Sequence, residues 1–234
     1  MNDGISVIVP VFDDAAYVGQ AIESVLGQTL RPLEILVVDD GSTDSSAEVA
    51  AACGAEVRVV RRPHAGAGAA RNHGVAISRG SRLAFLDADD LWLPEKLELQ
   101  EAALAADPVL EMVFAHLEHF HSPDLSPELA QKFPCPPRSM PCTTAVAMLV
   151  RREAFLRVGG FDESGSLGEV IDWYARARAL ALPETTLPES LVRRRIHSAN
   201  TGVRRAADKT QYARIAKAAL DRRRALANPS KAGK

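Results

Sequence analysis

The apolar run Leu83-Ala84-Phe85-Leu86 leads straight into Asp87, Asp89 and Asp90 in the stretch "RLAFLDADDLWLP". Two carboxylates about 4 Å apart repel by roughly 4 kcal/mol at an effective dielectric of about 20. Protonation, a basic neighbour, a helix N-terminus or a metal ion could offset that repulsion. A hard dication suits these residue types, because Mg²⁺ commonly uses one or two carboxylates together with substrate phosphates. Such an ion would also polarise a leaving diphosphate. A second acidic pair, Asp39-Asp40, ends another apolar run in "LEILVVDDGSTD". Other groups promise less. "GAGAAR" lacks both the Lys-Ser/Thr of a phosphate loop and the G-x-G-x-x-G spacing of a dinucleotide fingerprint. Gly66 and Gly68 are read there as a mobile lead into a helix. His116, His119 and His121 would split between the two faces of a strand, which argues against zinc, and Cys135 and Cys142 carry the same low weight.

The elements that must position these acids follow from the apolar pattern. "ISVIVPVF" (Ile5 to Phe12) has the β-branched composition of a strand buried on both faces. Helical spacing follows in "AAYVGQAIESVLGQ". A strand in "LEILVVDDGSTD" is followed by a helix through "SSAEVAAAC", with Ser42 or Thr43 suited to cap it. "AEVRVVRR" reads as a third strand, "GAGAARNHGVAIS" as a Gly-led helix and "RLAFLDADD" as a fourth strand. Pro94 stands near the first position of the next helix, "PEKLELQEAALAA". Four strands alternating with helices predict a parallel, doubly wound α/β sheet. Ligands of such sheets bind beyond the carboxyl ends of the strands, where both acidic clusters fall. Past Pro108 the pattern changes. "LEMVFAHLEHF" and "TTAVAMLVRR" are predicted strands around a Pro-rich surface loop, "SPDLSPELAQKFPCPPRSMPC". A short helix and Gly turn ("REAFLRVGGFDESGSLG"), a helix ("EVIDWYARARALAL") and a late strand ("LPESLVRRRIH") complete the body.

The ordered set "VIVPVFDD", "LVVDDGSTD", "GAGAARNHG", "FLDADD" and "GGFDE" resembles family 2 of the glycosyltransferases, which has the GT-A fold. The resemblance covers Ile5 to about Asn200. It implies a single mainly parallel mixed sheet flanked by helices in residues 1–200. Residues 1–105 would be the nucleotide-sugar half and 106–200 the acceptor half. It implies that the backbone at Pro10-Val11 lies against the nucleotide base, that Asp39 or Asp40 accepts from base or ribose, and that Arg71 lies near the nucleotide. Asp87 would face the ribose, and Asp89 a divalent metal, Mn²⁺ or Mg²⁺, that bridges the diphosphate. His197 of "RRRIHSAN" could reach the metal or diphosphate. One face of the Arg193–Arg195 run could hold phosphate oxygens while the other is solvated. The implied activity is inverting transfer of a sugar from a UDP- or GDP-sugar to an acceptor hydroxyl on a glycan, lipid-linked sugar or peptide.

Inverting members need a carboxylate base, usually in a segment like "EDxDLWLR". Here the segment is "GEVIDWYARAR", and two registers fit. In one, Glu169 matches the Glu and Val170 replaces the base. In the other, Asp172 is the base, beside Trp173 whose apolar ring could raise its pKa. Asp172 is the preferred base and Glu169 the reserve. The eroded motif also motivates an alternative, a non-catalytic sugar-nucleotide-binding or scaffold protein of the same fold.

The chain of 234 residues, 47% hydrophobic and 25% charged, is ordinary for a globular protein. No basic n-region or membrane-length apolar run is evident, and three cysteines do not suggest a disulfide framework, so a cytoplasmic protein is expected. Net charge hides an asymmetry. From Arg193 to Lys234 there are 13 Lys/Arg against 2 Asp/Glu, so +11, which leaves 15 against 28, so −13, elsewhere. "KTQYARIAKAALDRRRALA" in the tail 201–234 reads as a basic amphipathic helix. It is expected to pack on the acidic body, within the chain or across a homodimer, ahead of an anionic membrane surface. Nucleic acid is disfavoured by the body's negative charge.

Overall fold

The computed structural model describes residues 2–136, 138–164 and 168–200. The first half alternates as its sequence predicts: β1 (Asn2–Val11), α1 (Val18–Leu26), β2 (Glu34–Asp39), α2 (Ser46–Ala52), β3 (Val57–Arg61), α3 (Ala67–Ile77) and β4 (Gly80–Phe85). Then come β5 (Leu91–Trp92), α4 (Lys96–Ala106), β6 (Met112–His121), α5 (Pro127–Lys132), β7 (Met140–Cys142), β8 (Leu149–Arg151), α6 (Arg152–Val158), α7 (Glu169–Ala179) and β9 (Glu184–Ile196). The sheet order is β3-β2-β1-β4-β8-β6-β9-β5, with β7 paired to β6. β3, β2, β1 and β4 are mutually parallel, β8 runs antiparallel between β4 and β6, and β6 and β9 are parallel. The sheet is therefore mixed and mainly parallel.

Strand parity builds two cores. Ile5, Val7, Val9 and Val11 of β1 pack with Val18, Ile22 and Val25 of α1 and Leu97 and Leu104 of α4. Ile8 points the other way, into a core with Ala70 and Val75 of α3, Phe155 and Val158 of α6 and Trp173 and Ala177 of α7. Successive side chains of a strand face opposite sides, so an unbroken β-branched run serves both layers. The parallel strands β1 to β4 end together, and the acidic loops project from that end.

Several local expectations are corrected. Neither Ser42 nor Thr43 caps α2; Ser45 occupies the N-cap without a side-chain bond. Ser42 and Thr43 instead bond to Asp13 of the neighbouring loop, which competes for their hydroxyls. Pro94 precedes α4, whose N-cap is Glu95. "TTAVAMLVRR" is a 3₁₀ turn at Ala145–Ala147, with strand only at Leu149–Arg151. The Pro-rich loop contains α5, opened by the Ser126 hydroxyl accepting from Leu129 N, and ends in β7. The helix predicted in the basic tail lies outside the described residues. Among the described residues, no helix is long and apolar enough to cross a membrane.

Candidate active site

Each acid that follows β4 has its own neutraliser. Asp87 Oδ1 accepts from Arg71 Nη2 at 2.6 Å. Asp89 Oδ2 lies 3.0 Å from His197 Nε2 and accepts from Asn200 Nδ2 at 2.8 Å. Asp90 is buried and accepts from the Arg195 backbone N–H at 2.9 Å. Burial, with Asp89 and Asp87 nearby, pushes Asp90 well above the usual carboxylate range. A basic neighbour and protonation thus answer the like-charge problem in the protein alone.

Arg71, buried on α3, also reaches across the cleft. Its Nη1 donates to Glu169 Oε1 at 2.7 Å, so one guanidinium joins Asp87 after β4 to the first turn of α7. The residue beside it makes this possible. Asn72 donates to Phe161 O at 2.9 Å and accepts from Phe161 N at 2.8 Å, clamping the Gly159–Phe161 turn onto α3. Gly68 is required by close approach, since a Cβ there would stand 2.7 Å from Asp162 O and 3.4 Å from Glu169 Cγ. The reading of both glycines as a mobile lead is corrected for Gly68. Gly66, at φ 96 with nothing within 4 Å of a built Cβ, serves the backbone turn alone.

Asp172, on the same helix, pairs with Arg176 Nε at 2.9 Å. Arg176 in turn donates to Val158 O at 2.7 Å and Gly160 O at 2.6 Å, and so secures the end of α6. Glu169 is thereby joined to the Asp87 end of the cleft, whereas Asp172 is tied to the α6–α7 junction.

Pro10 and Val11 end β1 in register with Val38 and Asp39. Asp39 and Asp40 are both buried, and their carboxylates organise loops. Asp39 accepts from Ser42 N and Arg61 Nε, each at 2.9 Å. Asp40 accepts from Gly66 N at 2.7 Å and Ala65 N at 3.1 Å, with His64 Nδ1 2.9 Å away. Each acid shapes one wall of the cleft beside Pro10-Val11.

Three participants were not singled out from sequence. Asp14, the second acid of "VFDD", receives a bond on its N–H from no backbone group but from Ser46 Oγ as acceptor, at 2.9 Å. Burial and the charge of Asp89 push its carboxyl up to about 7, with His197 opposing. Tyr17 stacks on His197 with ring centroids 4.4 Å apart. Gln20 accepts from Arg195 Nη2 at 2.7 Å. The signal for Asp14 was its place in an acidic pair; Tyr17 and Gln20 sit at helical spacing with no chemical signature.

The donor set fits a divalent ion. Asp89 and Asp14 concentrate hard oxygen donors, and His197 Nδ1 is buried without a partner. Among the described residues no group of three or more His, Cys, Asp or Glu forms a ready-made cage. Mg²⁺ does not need one where substrate phosphates supply ligands.

A family model described as "Glycosyl transferase family 2" matches residues 6–159. An uncharacterized glycosyltransferase of Rickettsia felis is 43% identical over 98 residues, 41% of this chain and 16% of that protein. Glycosyltransferase GlyG of Streptococcus pneumoniae is 37% identical over 95 residues, 39% of this chain and 32% of that protein. The chain thus spans only about a sixth to a third of the curated relatives it matches. Among solved structures, S. aureus TarS in complex with UDP-GlcNAc is similar with a TM-score of 0.68 at 18% identity, covering 84% of this chain and 59% of that one. TarS in complex with UDP matches with a TM-score of 0.65. At that identity the likeness establishes a shared fold.

Proposed function

The chain belongs to glycosyl transferase family 2, and on that premise we propose that it moves a sugar, with inversion, from a nucleoside diphosphate sugar to an acceptor hydroxyl. The observation that carries the reading is the Arg71 bridge, which brings a donor-side acid and a candidate base to one cleft at 2.6 and 2.7 Å. Pro10, Val11, Asp39 and Asp40 form the base and ribose wall, the two acids acting through the loops they hold. Asp87 faces the ribose. Asp89, with His197 beside it, holds Mn²⁺ or Mg²⁺, which when bound neutralises diphosphate charge.

Glu169 is the base this geometry favours. The acceptor oxygen attacks the anomeric carbon, its proton passes to a Glu169 carboxylate oxygen, and the bond to the diphosphate breaks with the electron pair leaving on phosphate. Asp172 then serves α7 through Arg176. A UDP-sugar is the first donor to try, because the similar TarS was solved with UDP-GlcNAc. The acceptor is a glycan, a lipid-linked sugar or a peptide. Charge complementarity supports packing of the basic tail on the acidic body, in the same chain or across a homodimer, ahead of contact with an anionic membrane.

The test is a panel of sugar nucleotides screened by thermal shift and by nucleotide release, with and without Mn²⁺. One donor should stabilise the protein by about 2.7 kcal/mol at a hundredfold excess over its Kd and be turned over with acceptor. Binding without any turnover across acceptor classes would favour a non-catalytic sugar-nucleotide-binding role.

A further inference from the structure

The cleft already holds Asp14, Asp87, Asp89, Asp90 and Glu169, and a donor would add the charge of a diphosphate. The positive side chains at that end are largely committed. Arg71 is occupied by Asp87 and Glu169. Arg195 is buried, donates to Asp89 O at 3.0 Å and Gln20 Oε1 at 2.7 Å, and lies between the rings of Tyr17 and Phe120 at 4.9 and 4.7 Å. His197 faces Asp89. Arg193 pairs with Glu118 at 2.9 Å and lies over Phe120 at 4.6 Å.

Arg194 differs. It directly precedes the residue whose backbone N–H holds Asp90, and in the sheet it lies opposite His119 of β6. It projects from the opposite face of β9 to Arg193 and Arg195, and its side chain is exposed. Among the described residues it makes no hydrogen bond or ion pair, yet it stays fully charged: burial draws its pKa down, and Asp90, Asp87 and Asp89 more than offset that. Burial and the charge of Arg194 together hold His119 below its usual range, so no second cation is needed beside it. The expectation that only one face of this arginine run addresses the site is corrected, because Arg195 and Arg194 approach the acidic loop from both.

We propose that Arg194 is a further catalytic residue, the cation that receives the donor's diphosphate through N–H donors uncommitted among the described residues and holds its charge as the sugar leaves. The inference rests on the nucleoside diphosphate sugar reading above. The bond from the anomeric carbon to the β-phosphate oxygen breaks with its electron pair on that oxygen. The guanidinium donates hydrogen bonds to phosphate oxygens without giving up a proton. A guanidinium suits this better than an ammonium because its planar fork matches two phosphate oxygens at once.

The experiment compares UDP with UMP by calorimetry on the full chain, with Mg²⁺ present, for the wild type, Arg194→Gln and Arg194→Lys. Arg194 makes no intramolecular bond among the described residues, so the variants should melt with the wild type. Arg194→Gln should lose about 10- to 100-fold in UDP affinity, the worth of charge-assisted hydrogen bonds, and keep UMP affinity within about twofold. Arg194→Lys should recover part of the loss. An unchanged ratio of UDP to UMP affinity in Arg194→Gln, or equal losses for both, overturns the assignment while leaving the donor reading intact. A wild type that binds neither nucleotide removes the donor reading and Arg194's role with it.

Discussion

At Asp89 two neutral or cationic partners share one carboxylate oxygen, His197 at 3.0 Å and Asn200 at 2.8 Å. That arrangement holds the carboxylate at the mouth of the cleft while the buried Asp90 beneath it takes up a proton. UDP affinity should fall sharply on chelation, and Asp89→Asn should bind as the chelated wild type does. Calorimetry with and without chelator checks this, and equal wild-type affinities would end the metal-dependent reading. For the base, Glu169→Gln should keep donor affinity and lose about 10²- to 10⁴-fold in transfer. Asp172→Asn should mainly loosen the α6–α7 junction and lower the melting temperature, since its ion pair with Arg176 is only partly exposed. Transfer lost in Asp172→Asn, with fold and Glu169→Gln activity intact, would select the other register.

The element that organises the cleft is α3. Its N-terminal turn approaches Asp162 so closely that only Gly68 fits, and Asn72 seals the contact with a two-way bond to Phe161. The "ARN" and "GGFDE" segments are thereby one structural unit, although 87 positions separate Asn72 from the Gly159 that opens the turn (159 − 72). Asn72→Ala would leave the Phe161 backbone groups without that partner and cost about 1–3 kcal/mol. Gly68→Ala would force the turn and Glu169 outward, with an overpacking cost of about 1–3 kcal/mol. Both variants should lose thermal stability and transfer together, with UDP affinity less affected. Denaturation midpoints measured beside kinetics test it; normal transfer in Gly68→Ala would show that the clamp does not set the position of Glu169.

Across the whole molecule, one buried charge stands apart from the site. Lys96 is fully buried, lies 4.0 Å over the Trp92 ring and donates to Gln100 Oε1 at 2.8 Å. Burial lowers its pKa from 10.5 to about 7. Between those values the unfolded chain binds the proton and the folded chain does not, so stability should rise with pH across that window; below about 7 the full cost of the buried charge remains. Lys96→Met should flatten the profile above pH 7 and stabilise the protein near neutrality by a few kcal/mol, an order-of-magnitude figure. Chemical denaturation from about pH 7 to 10 reads the slope, and an unaltered slope in the variant would place the titration elsewhere.

Residue order alone determined the parallel half of this protein. Unbroken β-branched runs can be satisfied only between two layers, and acids that end such runs must collect at the carboxyl edge. The ordered segments also carried the family, which the match over residues 6–159 bears out. Sequence could not decide between Glu169 and Asp172, because they lie within one helical turn and differ only in what faces them from elsewhere. Their surroundings came from the fold: Arg71 reaches Glu169 from α3, and Arg176 holds Asp172 against the end of α6. Tertiary structure likewise turned "TTAVAMLVRR" mostly into a turn, and brought both faces of the Arg193–Arg195 run to the acidic loop. Local propensity and periodicity are properties of neighbours in the chain, whereas which charge faces which depends on strands brought together across the sheet.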